Sequence, residues 1–306
     1  MSNIRIANAP CSWGVLEFES ERNGDIASWA QVLDEMVETG YEGTELGDWG
    51  FLPTDPARLR KELAARRLEL VGAFVPVKLA DASAHQEGLE RAVRTALLMA
   101  EAVGTDPFIV LSDENGSDPT RTKLAGRIRP ENGLGHDQWP VFAEGAQRIA
   151  WAVREQTDLR TVFHHHCAGF VETPAEIETL LSLTEPDLIG LCLDTGHYVY
   201  GGGDALEGIK RHAARIWHVH FKACHAEVAA RARAQEWDYF EAVRHALFCE
   251  LGQGAIDFQA VLVELNRQSY QGWIVVEQDI VPGMGTPRES AQRNREHLRN
   301  ISLETG

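Results

Sequence analysis

Short apolar runs alternate with longer amphipathic stretches along almost the whole chain. The short runs read as strands over residues 4–9 ("IRIANA"), 43–46 ("GTEL"), 68–75 ("LELVGAFV"), 107–112 ("PFIVLS"), 161–165 ("TVFHH"), 189–194 ("IGLCLD"), 216–222 ("IWHVHFK") and 272–278 ("GWIVVEQ"). Between them, over 27–39, 55–67, 86–103, 138–157, 174–184, 204–213, 257–268 and 287–302, apolar residues recur with the period of a helix that buries one face. Gly40 closes "DIASWAQVLDEMVETG" as a helix stop, while Pro174 and Pro287 open helices behind Thr173 and Thr286 as N-caps.

Eight strands alternating with eight helices predict an α/β fold, a (β/α)8 TIM barrel formed as a single domain over residues 1–306. A doubly wound open sheet is the competitor, but the GxGxxG first turn it usually carries is absent, and "YGGGDALEG" reads as a turn into a helix. Two connections exceed the usual length of roughly 4–6 residues: Asp113 to Asp137 after strand four, and Ala223 to Ile256 after strand seven, the latter with a helix-like "EWDYFEAVRHALF". Both fall on the face where barrel active sites form, as lids or walls of a pocket.

Chemistry in a barrel sits at the C-terminal strand ends. Strand two ends at Glu45, strand six at Asp194 with His197 close behind, strand seven carries His218, His220 and Lys222 on one face, and strand eight ends at Glu277. Strand five ends in "HHHC": alternation puts His164 and His166 on one face and His165 on the other. Mixed imidazole and carboxylate donors suit a divalent ion of the Mn, Co, Zn or Fe type better than calcium. Each residue also has a plainer reading. Asp194 would cap the next helix, the strand-seven histidines would be satisfied inside the barrel, and Glu277 would pair with a lysine. Trp13 and Trp49 follow strands one and two, as an apolar wall against a sugar ring or as rim packing.

Charge and cysteine usage narrow the field. A formal net charge of -17, from 29 basic and 46 acidic residues, argues against a nucleic-acid partner or an anionic membrane surface. No apolar run approaches the roughly 20 residues of a membrane span, and "MSNIRIANAPCSWG" lacks an apolar signal core. Five scattered cysteines with no CxxC pair indicate reduced thiols and a cytoplasmic protein.

With these residues in place, the chain resembles the xylose isomerase-like superfamily of sugar isomerases and epimerases, which includes the AP-endonuclease-like barrels. "GYEGTEL", "LDTGH", "HVHFK" and "VVEQD" occur in family order, and "NAPCSWG", "HHHCAGFVETPAEI", "LDTGHYVYGGGD", "LGQGAIDF" and "GWIVVEQD" look most like the inosose dehydratase branch. The resemblance implies metal ligands at Asp194, His220 and Glu277, with His164 standing where many relatives have a glutamate and His166 matching the family histidine. It implies catalytic roles for Glu277, His164, His197 and Glu45; substrate contacts are expected from Glu45, His166, His197 and Lys222, and from Trp13 by its place beyond strand one. With one carboxylate replaced by His164, symmetric two-carboxylate epimerisation gives way to dehydration of a keto-polyol such as 2-keto-myo-inositol. The alternatives are a metal-dependent isomerase or epimerase of an inosose or keto-sugar, a non-catalytic sugar-binding barrel, and, remotely, an AP-endonuclease-like repair enzyme. The partner implied is a small polyol or keto-sugar, with a homo-dimer or homo-tetramer as the assembly.

Overall fold

The computed structural model describes residues 4–14, 27–279 and 284–304; residues 1–3 of the N-terminal stretch read above lie outside them. Its strands are β1 (Ile4–Asn8), β2 (Gly43–Glu45), β3 (Glu69–Val77), β4 (Phe108–Asp113), β5 (Arg160–His164), β6 (Ile189–Asp194), β7 (Ile216–Phe221), β8 (Ala223–Cys224), β9 (Phe248–Cys249) and β10 (Gly272–Val276). Eight of them pair in parallel and close in the order β1-β10-β7-β6-β5-β4-β3-β2, while β8 and β9 form a separate two-stranded sheet. The helices alternating with the barrel strands are α1 (Trp29–Glu38), α2 (Pro56–Arg66), α3 (His85–Val103), α5 (Gln138–Thr157), α6 (Pro174–Leu183), α8 (Ala205–His212), α11 (Phe258–Arg267) and α12 (Pro287–Glu304). Shorter helices α4 (Pro119–Leu124), α7 (Thr195–Tyr200), α9 (Ala226–Ala234) and α10 (Tyr239–Arg244) decorate the connections. This is the predicted barrel.

Local chemistry sets the boundaries. Thr173 accepts from the Glu176 backbone N–H while Glu176 answers to the Thr173 N–H, a capping box at α6. Thr286 and Glu289 repeat it at α12. β3 runs through Pro76, where the pattern predicted an end, because Pro76 and Val77 stay in register with Ser112 and Asp113 of β4. β5 and β10 end earlier than predicted, so His165, His166 and Glu277 stand on loops just past their strands. The Glu277 backbone is still anchored, its N–H donating to Phe221 O at 3.0 Å.

Strand alternation splits the apolar residues into two cores. Outward-facing side chains pack under the helices in one large cluster. The barrel interior mixes small and aromatic ones: Ala7, Ala9, Val71 and Val275 with Trp273 on one side, and Phe108, Val110, Val162 and Cys192 with Phe74 and Trp217 on the other. Two glycines make room there. A Cβ on Gly190 would fall 2.2 Å from the Trp217 ring, and one on Gly72 would fall 3.2 Å from Glu45 Oε1.

The two long connections form one wall. Tyr200, Tyr239, Val243, Phe248 and Ala232 share a further core. Arg127 donates to Trp237 O at 2.9 Å, and Arg233 to Gly126 O at 3.0 Å, lacing the connection after β4 to that after β7. The predicted helix in "EWDYFEAVRHALF" shrinks to α10, and α9 was missed because its buried positions are chiefly alanine. Among the described residues no helix is long and apolar enough to cross a membrane, and all five cysteines are free.

Candidate metal centre and active site

The C-terminal strand ends bring His164, Asp194, His220 and Glu277 together, their donor atoms all within 4.8 Å of one another. Register explains the convergence: His164 pairs with Cys192 across β5–β6, and Asp194 with His220 across β6–β7. Each residue's plainer role is also real, yet consumes only part of its side chain. Asp194 Oδ1 caps α7 by accepting from the His197 N–H at 2.8 Å, while its buried Oδ2 has no hydrogen-bond partner and lies 3.7 Å from His164 Nε2. His220 Nε2 meets Glu45 Oε1 at 2.9 Å. Its Nδ1 is left without a hydrogen bond, 3.2 Å from Glu277 Oε1. Glu277 Oε2 lies 3.4 Å from Lys222 Nζ.

These orphaned atoms meet the test for a divalent cation. Asp194 Oδ2 is a buried carboxylate oxygen with no donor, and His220 Nδ1 faces a second carboxylate; such a set costs stability unless something positive sits among them. Burial alone would lower the His220 pKa, but Cys192, Glu277 and Glu45 outweigh it and raise it well above the ordinary value. The cluster holds a positive charge there, as a proton or as an ion in its place.

Glu45 stands at the C-terminal end of β2, turned toward the histidines of β7. It is 2% exposed, and its Oε1 is shared by His218 Nε2 at 3.0 Å and His220 Nε2 at 2.9 Å. Burial works against ionisation, but the two imidazoles hold the carboxylate well below its usual range. That arrangement fixes which His220 nitrogen faces the cluster. Replacing Glu45 by Gln is expected to weaken divalent-ion affinity by about 10–100-fold, read by competition with a chromophoric chelator. Unchanged affinity would remove Glu45 from the account.

Lys222 is buried, 3.4 Å from Glu277 and 3.3 Å from Asp279 Oδ2. Burial would lower its pKa, but Asp279, Glu277 and Asp194 keep it an ammonium. His166 and His197 lie side by side, ring centroids 3.9 Å apart. The Cys167 peptide sets both tautomers: its carbonyl is 2.6 Å from His166 Nδ1, and its N–H donates to His197 Nδ1 at 3.4 Å. His197 Nε2 therefore carries a hydrogen and is buried without a partner. Burial, reinforced by neighbouring cations, lowers both pKa values, His166 to about 3, so both rings are neutral. His165 turns away, its ring against Tyr198 and its Nε2 accepting from the Asp194 N–H at 3.2 Å.

Trp13 makes no wall. It is 1% exposed, and its indole N–H donates to Glu35 at 2.6 Å; its length carries it from the rim into the core beside α1. Trp49 lies at the surface beneath the Arg94 guanidinium, 4.1 Å away. Asp279 and Cys192 escaped the sequence reading, although each lies two residues from a named ligand and alternation points to both.

Carboxylates clamp the loop that follows β5. Asp113 accepts from the Phe170 N–H at 2.9 Å, and Glu172 from Gly126 at 2.7 Å and Ala168 at 3.0 Å. Glu176 accepts from Glu172 and Thr173 while pairing bidentately with the fully buried Arg121, which also donates to Gly169 O. Burial raises Glu172 to about 7, against opposing contributions from Arg121 and the two backbone donors. Between its ordinary 4.5 and about 7, the folded state keeps a proton that the unfolded chain has lost. Stability therefore falls as pH rises through that window. Chemical denaturation at several pH values is expected to show this slope reduced in Glu172→Gln. An unchanged slope would place the titration elsewhere.

Comparison with known proteins agrees with this architecture. The profile of xylose isomerase-like TIM barrels matches residues 33–301. An inosose dehydratase of Geobacillus kaustophilus is 33% identical over 298 residues, covering 96% of this chain and 94% of that protein. One from Lacticaseibacillus casei is 30% identical over 295 residues, covering 96% of each. The crystal structure of an IolI protein with a bound zinc atom superposes with a TM-score of 0.70 at 14% identity, over 98% of both chains. Profile, full-length relatives and strand order together make this chain a member of the xylose isomerase-like TIM-barrel family.

Proposed function

We propose that the chain is a metal-dependent dehydratase, a carbon–oxygen lyase that removes water from a keto-polyol such as 2-keto-myo-inositol. The observation that carries this reading is the buried His164–Asp194–His220–Glu277 cluster in a chain whose full-length relatives are named inosose dehydratases. These four residues would hold the ion, of the Mn, Co, Zn or Fe type. Once bound, it would polarise a ketone oxygen and acidify the neighbouring C–H.

The chain's own groups supply the rest. Glu277, with Oε2 beside Lys222, takes the α-proton. Lys222, held as a cation between two carboxylates, donates to the substrate oxygen on which negative charge develops. His197, a neutral ring with an unpartnered Nε2–H, hydrogen-bonds and orients the departing β-hydroxyl, which leaves as water with the proton that Glu277 has taken. His166, in the opposite tautomer, accepts from a substrate hydroxyl. Glu45 acts through His220 and is a positioning residue. The five free thiols support a reducing, cytoplasmic setting.

The rival is an isomerase or epimerase, which uses the same proton abstraction without loss of water. NMR of 2-keto-myo-inositol incubated with the protein separates the two. Loss of a carbinol proton with a new dione supports dehydration, whereas a shifted carbonyl with all carbinol protons retained selects isomerisation.

A further inference from the structure

Beneath the carboxylate-rich cluster lies another donor set that shares two of its residues. The donor atoms of His164, Cys192 and His220 lie within 4.8 Å of one another, all three buried. Cys192 precedes Asp194 by two residues on β6, so alternation turns both side chains into the barrel. It pairs in register with His164, is in no disulfide, and its thiol hydrogen-bonds His220, the contact that an ion would replace. His164 Nδ1 and His220 Nδ1 are buried with no hydrogen-bond partner. The remaining donor group, Glu45 with His218 and His220, differs: its contacts at 2.9 and 3.0 Å are hydrogen bonds that leave no gap for an ion.

We propose that the barrel has a second, sulfur-containing metal-binding mode, in which Cys192 joins His164 and His220 to take a thiophilic divalent ion such as cadmium. The two modes differ in chemical character. Asp194 and Glu277 above offer oxygen, which suits harder ions, whereas Cys192 below offers sulfur, which selects softer ones. Because both modes use His164 and His220, one ion excludes the other. Binding breaks the Cys192 S–H bond, forms an S–Cd bond and releases the proton to solvent, with no change of oxidation state. The proposal rests on the same imidazoles as the proposed function, but not on its dehydratase chemistry.

The test is titration of the chelator-stripped full chain with Cd2+, followed by ultraviolet thiolate-to-metal charge-transfer absorption. A band saturating at one ion per chain is expected. It should be lost in both Cys192→Ser and Cys192→Ala, and kept in Cys11→Ser, Asp194→Asn and Glu277→Gln. No band in the wild-type chain, or an undiminished band in the folded Cys192 variants, would overturn the proposal. If the dehydratase reading fails, 2-keto-myo-inositol is not turned over by the Mn2+-loaded chain, yet the cadmium band persists. If the sulfur mode fails, the band is absent while turnover remains.

Discussion

Glu277→Gln is expected to abolish turnover while the barrel stays folded. The carboxylate reaches two partners at once: Oε1 faces His220 Nδ1 at 3.2 Å, and Oε2 lies 3.4 Å from Lys222. Glutamine keeps the shape but loses the charge, so it is a poor donor for a cation and a poor base for a C–H proton. Removing one preorganised electrostatic group costs on the order of 10²–10³ in kcat, and here base and ligand are lost together. The fold does not depend on this carboxylate: the Glu277 N–H still bonds Phe221 O, and Lys222 keeps Asp279. Steady-state kinetics beside circular dichroism check the result. Wild-type kcat in the variant would refute Glu277 as base and ligand.

The largest effect on stability is expected from Arg121→Ala. The guanidinium is fully buried; it bonds Glu176 at 2.8 and 3.0 Å and donates to Gly169 O at 2.7 Å. Its removal leaves a carboxylate 10% exposed without its cation, a loss of about 3–5 kcal/mol. It also frees the Gly169 carbonyl in the loop that carries His166. Denaturant unfolding should therefore show a lowered midpoint, with kcat reduced as the catalytic geometry loosens. A change below about 1 kcal/mol, the scale of an exposed pair, would mean that the site relaxes around the lost side chain.

The barrel was legible because period two and period 3.6 alternate cleanly, and because Thr173 and Thr286 announce their helices. The donor cluster was legible for the same reason: Asp194 ends an apolar strand, His220 lies one residue from the end of one, and Glu277 directly follows one. Glu45 was placed at the right strand end, but its depth was not foreseeable. Gly72 opens the space into which Glu45 turns, and His218 and His220 draw it there. Trp13 was misplaced because a side chain at a strand end can turn into the core as readily as toward the mouth. The clamp of Arg121, Glu172 and Glu176 depends on two connections meeting in space, and no periodicity records that. Arg121 sits in a stretch that reads only as a long polar loop.

Turnover of 2-keto-myo-inositol by the metal-stripped chain, before and after a divalent ion is restored, tests the central claim most directly. No reaction before and water-eliminating turnover after is the result predicted here. Turnover without the ion, or none once it is restored to the folded chain, would contradict it.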